Sequence, residues 1–333
     1  MEWFMVFENQ SINGLLAQPG SSVLVQIPAS TSNCGPGFDT LGVALQLYNF
    51  VRIEPVSGAV VEPLEPDRVD SMLHQMVTDA AQAYFEETDT ESHGFRYSLW
   101  GEVPVARGLG SSATIRAGVV AGLNALDGSP LTLARRIALV SRLDHAPDNT
   151  CAAFAGGFCV ARTDPATGAY REHLRFEVPE SLAFVAVSPD MEVKTEESRR
   201  ILPQQLPFNE VAQSLNSLAF LVAAFASGDY ERLNGAVNDR IHQPYREVLN
   251  PFAREAIAAG CEAGGYSGWL SGSGSTVVCL APVRRALRVG NAMAEVFKQN
   301  GVRSRIHPLT TDNKGLTIRF DPPSQAIVTT SQN

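Results

Sequence analysis

The junction at residues 104–114, Pro-Val-Ala-Arg-Gly-Leu-Gly-Ser-Ser-Ala-Thr, constrains this chain more than any other segment. Before it, Phe95, Tyr97, Leu99 and Val103 fall two or four apart, the period of a half-buried strand. After it, Ile115, Val119, Leu123 and Leu126 recur at helical spacing. Gly108 and Gly110 let the backbone turn tightly between the two and approach a ligand closely. The first amides of the new helix, at Ser111, Ser112 and Ala113, have no intrahelical acceptor. They lie at the positive end of the helix dipole, which suits a phosphate. The hydroxyls of Ser111 and Ser112 add ligands for a phosphate oxygen or a magnesium ion. A plain turn with a serine cap has the same local sequence, so the segment alone leaves both readings open. It is not the ordinary P-loop, because no Gly-Lys-Ser/Thr follows. The first lysine of the chain is Lys194, so a phosphate site before it must use backbone amides, hydroxyls and arginines.

The 333 residues suffice for two domains with substantial cores. A net charge of −9 argues against nucleic acid as a partner, since duplex binding needs a concentrated basic face. A small, locally positive nucleotide site remains compatible with it. The five cysteines (34, 151, 159, 261, 279) form no Cys-x-x-Cys pair and read as reduced, buried thiols of a cytosolic protein. The first residues carry neither a basic n-region nor a long apolar stretch. The longest apolar helix candidate, 215–226, contains Asn216 and Ser217 and is too short to span a bilayer, so no membrane association is expected. Residues 1–22 read as a loosely ordered extension, although Trp3, Phe4, Val6 and Phe7 give it an apolar surface that can pack on the body.

Pattern and breakers predict strands over 23–28, 43–56, 95–105, 156–162, 182–188 and 302–309, and a strand over 268–281 interrupted by a glycine-serine loop. Helices are predicted over 67–86, 111–126, 131–143, 209–227, 230–240, 251–263 and 284–300. The alternation is irregular, which indicates α+β rather than a doubly wound parallel sheet. A soft boundary near 180–190 divides the chain into domains over 23–185 and 186–320, between the extension (1–22) and a tail (321–333).

Two further glycine-rich loops accompany the first. One runs from Pro28 through Asn33-Cys-Gly-Pro-Gly-Phe-Asp39 to Gly42, the other from Ser271 through Gly-Ser-Gly-Ser to Thr276. Each is weakly specific. In this order and at these separations, the three resemble the motifs of the GHMP kinases, and the middle one matches closely. Further segments resemble the homoserine kinase branch of that superfamily: Pro147-Asp-Asn149 followed by Gly156-Gly-Phe158, Lys194-Thr-Glu-Glu-Ser-Arg199, and Asp239-Arg-Ile-His-Gln-Pro-Tyr-Arg246. The resemblance covers roughly residues 23–310. It implies a two-domain fold, with an N-terminal domain like ribosomal protein S5 and a C-terminal ferredoxin-like α/β plait. It also implies transfer of the γ-phosphoryl group of ATP, with Mg2+, to the hydroxyl of L-homoserine. The alternatives are a GHMP kinase for another small alcohol and a catalytically weak nucleotide-binding relative. A homodimer is compatible with the chain.

The resemblance also implies site residues. The nucleotide falls to Pro104, Val105, Ala106, Arg107, Gly108, Leu109, Gly110, Ser111, Ser112, Ala113 and Thr114, with Gly272, Ser273 and Gly274 from the third loop. Arg199 and Arg246 are the expected clamp for the substrate carboxylate, because a guanidinium matches it with two parallel hydrogen bonds. Arg200 and Arg240 are their neighbours and the alternative ligands if the register differs. Asn33 and Asp39 are expected at the ammonium and hydroxyl ends, and Thr195 either binds substrate or caps a helix. Asp39 is expected to orient the nucleophile and Asn149 to contact the phosphoryl group, with Asp39 and Asp148 as rival general bases. A loose transition state also permits no base at all. One run departs from the family. Glu-Gly-His-Pro is usual, and Asp144-His145-Ala146-Pro147 stands here. Asp144 then joins Ser112 at the metal position, while His145 is either a displaced substrate ligand or a helix C-terminal histidine.

Overall fold

The computed structural model describes residues 21–321. The expected extension, apart from Ser21 and Ser22, and the tail beyond Asp321 lie outside them. The chain opens with β1 (Ser22–Ser32), β2 (Leu41–Val56) and β3 (Val61–Pro63), then α1 (Ser71–Thr88), β4 (Gly94–Gly101), α2 (Ser111–Leu126), α3 (Leu133–Asp144), α4 (Pro147–Ala155), β5 (Phe158–Thr163) and β6 (Tyr170–Phe176). Next come β7 (Leu182–Pro189), α5 (Thr195–Arg200), α6 (Phe208–Ser227), α7 (Gln243–Arg246), α8 (Ala253–Glu262), β8 (Ser267–Leu270), β9 (Val277–Pro282), α9 (Ala286–Gln299), β10 (Ser304–Leu309) and β11 (Thr317–Asp321).

The first sheet has the order β11-β1-β2-β4-β3, with β5 and β6 continuing from β2. Alternate residues of its strands, among them Val23, Val25, Ile27, Val51, Ile53, Phe95 and Tyr97, form one core with Tyr84 and Phe85 of α1 and Val119, Val120 and Leu123 of α2. The sheet is thus covered by helices on one face, as alternating strands require. Helix α2 is buried nearly all round and occupies its predicted bounds. The second sheet, β10-β7-β9-β8, is wholly antiparallel. It shares a core with α8 and α9 through Val185, Val187, Cys279, Val289, Met293 and Phe297.

Several elements differ from the sequence expectations. The helix expected over 230–240 is a short 3-10 turn, Tyr230–Leu233, followed by irregular chain. Gly235 there takes φ 70°, and the carboxylate of Asp239 gathers the N–H groups of Ile241 (2.7 Å), His242 (3.2 Å) and Gln243 (2.7 Å), which turns the chain into α7. The interrupted strand over 268–281 is the antiparallel hairpin β8–β9, joined by the third glycine loop. The β4 strand ends at Gly101, four residues early, and residues 147–155 form a helix with Pro147 in its first turn. Strand β11 pairs with β1, so the chain returns to the first sheet although the 186–320 grouping joined this segment to the second.

Candidate active site

Gly110 caps α2 with φ 72°, a conformation that costs glycine little. Ser30 Oγ fills the space a Cβ there would need. The first bond closing the helix runs from the Thr114 N–H to the Gly110 carbonyl (3.0 Å). The amides of Ser111, Ser112 and Ala113 therefore project from the helix end without intrahelical acceptors. Both other glycine loops meet this turn. Ser30 N–H donates to the Leu109 carbonyl (3.1 Å), Ser271 Oγ to the Gly108 carbonyl (2.7 Å), and Thr276 N–H to the Arg107 carbonyl (3.1 Å). Gly272 N–H donates to the Ser32 carbonyl (3.2 Å), and Trp269 Nε1 to Thr31 Oγ1 (3.0 Å). Three loops far apart in sequence form one floor.

The charged residues gather beside it. Arg199 grips Asp39 with both arms, Nη1 to Oδ2 (2.9 Å) and Nη2 to Oδ1 (2.8 Å), and Nη2 also donates to the His145 carbonyl (2.8 Å). Each side chain of this pair is about one-third exposed, at 34% and 35%. Arg246 is 2% exposed and donates to the carbonyls of Gly272 (2.8 Å) and Ser198 (3.2 Å). Burial, reinforced by the Arg199 charge, pulls its pKa down to about 10, which leaves it cationic at neutral pH. Both guanidinium groups lie over the Phe38 ring, at 5.4 and 5.2 Å from its centre. Asn33 donates to the Gly272 carbonyl (3.0 Å) and accepts from the Asp39 N–H (3.0 Å). Asn149 accepts from Ser30 Oγ (2.8 Å), which ties it to the glycine turn.

Two buried carboxylates complete the site. Asp148 is 2% exposed and faces the N–H groups of Asn149 (2.7 Å) and Asn33. Burial first, and the nearby Asp39 charge second, push its pKa well above the carboxylate range. Asp144 is held by Arg116 and bonded to the Ser112 side chain. Burial raises its pKa against the lowering pull of those two partners.

Of the alternative arginines, Arg199 and Arg246 turn into the site, while Arg200 and Arg240 are exposed. Several expected ligands take different parts. The Arg107 guanidinium is drawn to Asp190 (3.4 Å) and Glu192 (3.5 Å), so this residue meets the floor through its backbone. Thr114 is buried, its hydroxyl committed to Asn49 (2.8 Å) and the Ser111 carbonyl (2.7 Å), and the Leu109 side chain lies in the core. Val105 is exposed, Ala106 takes φ 52°, and Pro104 is half-buried beside them. The Ser273 and Gly274 pair turns the third loop, closed by the Gly274 N–H to the Ser271 carbonyl (2.8 Å). His145 is an exposed left-handed cap of α3 and reaches the site through its carbonyl. Thr195 is exposed at the first position of α5, whose cap residue is Lys194, so it does not cap that helix. Sequence reasoning missed Phe38, Arg116 and His242. His242 and Phe38 stood inside quoted motifs, while nothing in the period of α2 marked Arg116.

The N-terminal half matches the GHMP kinases N terminal domain over residues 75–157, and the C-terminal half matches GHMP kinases C terminal over 221–299. The chain is 35% identical over 301 residues to a homoserine kinase of Moorella thermoacetica, covering 89% of this chain and 99% of that one. It is 36% identical over 301 residues to one of Carboxydothermus hydrogenoformans, covering 88% and 95%. Among solved structures, a homoserine kinase of Cytophaga hutchinsonii shares the fold with a TM-score of 0.80 at 24% identity, over 94% of this chain and all of that one. A mevalonate kinase does so at 0.61 and 14% identity, over 86% of this chain and 98% of that one. With likeness above a third spread over nearly nine-tenths of the chain, and both halves matching, the protein belongs to the homoserine kinase family of the GHMP kinases.

Proposed function

We propose that this enzyme transfers the γ-phosphoryl group of ATP to the hydroxyl of L-homoserine, giving O-phospho-L-homoserine and ADP. The observation that carries the proposal is the Asp39–Arg199 pair standing on the same loop floor as the open N-terminus of α2. A homoserine zwitterion enters by parting the paired charges, which touch here at 2.8 and 2.9 Å. Its carboxylate takes the fork of Arg199, with Arg246 behind it, and its ammonium takes Asp39, so one ion pair is exchanged for two. Asn33 fixes the Asp39 backbone, and Asn149, held by Ser30, reaches toward the transferred group.

The amides of Ser111, Ser112 and Ala113 receive the phosphates, where a preorganised dipole favours the charge that spreads over the moving group. The hydroxyl of Ser112 and the carboxylate of Asp144 are hard oxygen donors beside that position and would hold Mg2+ there. When bound there, Mg2+ neutralises phosphate charge. Asp148 is the better placed of the rival bases to hold a proton, since Asp39 is committed to Arg199. The same reading places the enzyme in the cytoplasm, where its five unbridged cysteines stay reduced. It also includes a homodimer, which sedimentation equilibrium measures.

A coupled ADP-release assay tests the proposal, with homoserine, threonine, mevalonate and galactose offered in turn, with and without Mg2+. Turnover confined to homoserine and dependent on Mg2+ is expected. Faster turnover of another alcohol refutes the substrate assignment. Nucleotide binding without turnover of any substrate favours the catalytically weak relative.

A further inference from the structure

His242 is fully buried, and no step of the proposed transfer uses it. Its Nε2 lies 2.8 Å from the Gly35 carbonyl oxygen. A carbonyl only accepts, so Nε2 carries a proton. Its Nδ1 lies 3.3 Å from Nη1 of Arg246. A guanidinium only donates, so Nδ1 presents its lone pair. The partners thus assign one neutral tautomer, and burial holds the ring neutral by pushing its pKa well below the ordinary histidine value. The ring also packs on Phe38, 5.3 Å between centres, the same ring that both guanidinium groups overlie. Asp239 fixes the backbone beneath by accepting from the His242 N–H (3.2 Å) and approaches Nε2 at 3.3 Å. Arg246 follows one helical turn later, on the same face.

We propose that His242 is a positioning residue, the acceptor that aims Arg246 into the substrate site and ties that aim to the Gly35–Asp39 loop. The proposal rests on the assignment of Arg246 to the homoserine carboxylate. With Nδ1 gone, the Nη1 arm keeps only the Gly272 carbonyl, and the guanidinium is held by that bond and by Nε to the Ser198 carbonyl, two contacts in place of three.

Two amide substitutions separate the two ends of the ring. In His242→Gln the side-chain nitrogen reaches as far as Nε2 and keeps the donor to Gly35, but the acceptor for Arg246 is lost. In His242→Asn the amide oxygen stands where Nδ1 stood and keeps that acceptor, but the bond to Gly35 is lost. The expected result is a rise of at least tenfold in the homoserine KM for His242→Gln and less than threefold for His242→Asn. The ATP KM should stay within twofold and kcat within threefold in both. Equal homoserine KM changes in the two variants, or none in His242→Gln, overturn the proposal, because a purely structural histidine does not distinguish them. Long-range nitrogen–proton NMR of the unaltered protein gives a second test that needs no variant to fold. A spectrum with the proton on Nδ1 overturns the proposal, and one with the proton on Nε2 supports it. Absence of homoserine turnover in the unaltered protein is a failure of the functional reading, and the tautomer measurement keeps it distinct from a failure of this one.

Discussion

Gly108 and Gly128 share φ +77° and differ in what surrounds them, so the pair isolates the worth of the loop contact. A methyl group on Gly128 meets nothing within 4 Å. Gly128→Ala therefore carries only the left-handed backbone strain, about 1–2 kcal/mol. A methyl group on Gly108 would overlap the Ser271 carbonyl oxygen and lie 2.9 and 3.0 Å from the backbone O and N of Gly274. These are backbone atoms of another loop, so the loop has to move away. That movement breaks the Ser271 Oγ bond to the Gly108 carbonyl (2.7 Å) and the Thr276 N–H bond to the Arg107 carbonyl (3.1 Å), each worth about 1 kcal/mol. Gly108→Ala should thus cost about 3–4 kcal/mol in all. It should also shift the amides of Ser111–Ala113, and a loss of about 1.4 kcal/mol in phosphate binding is tenfold in affinity. The assay is thermal denaturation of both variants alongside steady-state kinetics in ATP. The expected result is a small melting shift with normal ATP KM for Gly128→Ala, and a larger shift with ATP KM raised at least tenfold for Gly108→Ala. Equal melting shifts with unchanged ATP KM in both variants would refute the argument that the middle and third loops support each other.

Asp39→Asn leaves one oxygen acceptor where the two arms of Arg199 had two, and it removes the anion proposed for the substrate ammonium. It should lower kcat/KM for homoserine by about a hundredfold or more, since a truncated charged pair typically loses several kcal/mol, with ATP KM nearly unchanged. Turnover within a few-fold of the parent at saturating homoserine counts against the assignment. Asp148→Asn changes the pH dependence of stability. The folded state raises the pKa of Asp148, so its stabilising contribution is full below about pH 4 and is lost as pH rises through about 7. Urea midpoints of the variant should therefore fall less steeply than the parent's across that window, and parallel slopes contradict the assignment. Arg116→Met leaves Asp144, whose side chain is 7% exposed, without its counter-ion. A loss of about 3–5 kcal/mol is expected by thermal denaturation, partly recovered when Asp144→Asn is added.

The parts of this molecule that depend on short-range chemistry were legible in the sequence. Helix α2 was read to its ends because apolar spacing and the glycines before Ser111 act within a few residues. The open amides of Ser111–Ala113 needed no tertiary knowledge, since unpaired amides at a helix start follow from helix geometry. The segment 230–240 was misread because its apolar spacing is helical while a side-chain cap at Asp239 reorganises the chain by collecting three N–H groups. Short strands such as β3 and β11 escaped because three to five residues carry too little period, and their pairing is decided by partners far along the chain. Arg107 and Thr114 stand within the motif, yet Asp190, Glu192 and Asn49 claim their side chains. A motif marks which backbone approaches the ligand, whereas the destination of each side chain depends on charges that only the fold brings near.

The Gly272 carbonyl shows why the glycine-loop floor and the proposed amino-acid clamp behave as a unit. This single oxygen accepts from Asn33 Nδ2 (3.0 Å), which anchors the Asp39 backbone, and from Arg246 Nη1 (2.8 Å). The same residue's N–H donates to Ser32 (3.2 Å), two positions from the Ser30 that holds Asn149. A displacement of the third loop is therefore felt at Asp39, at Arg246 and at Asn149 together. Buried polar groups keep such a network in one arrangement because any departure leaves a donor or acceptor unpaired. Arg246, being 2% exposed, has few other partners to take up. On the proposed reading, specificity for a short zwitterion follows from fixed spacing. The distance between the Asp39–Arg199 pair and the α2 amides is set by these bonds rather than by flexible side chains, and an alcohol lacking either end charge leaves one member of the pair unmatched.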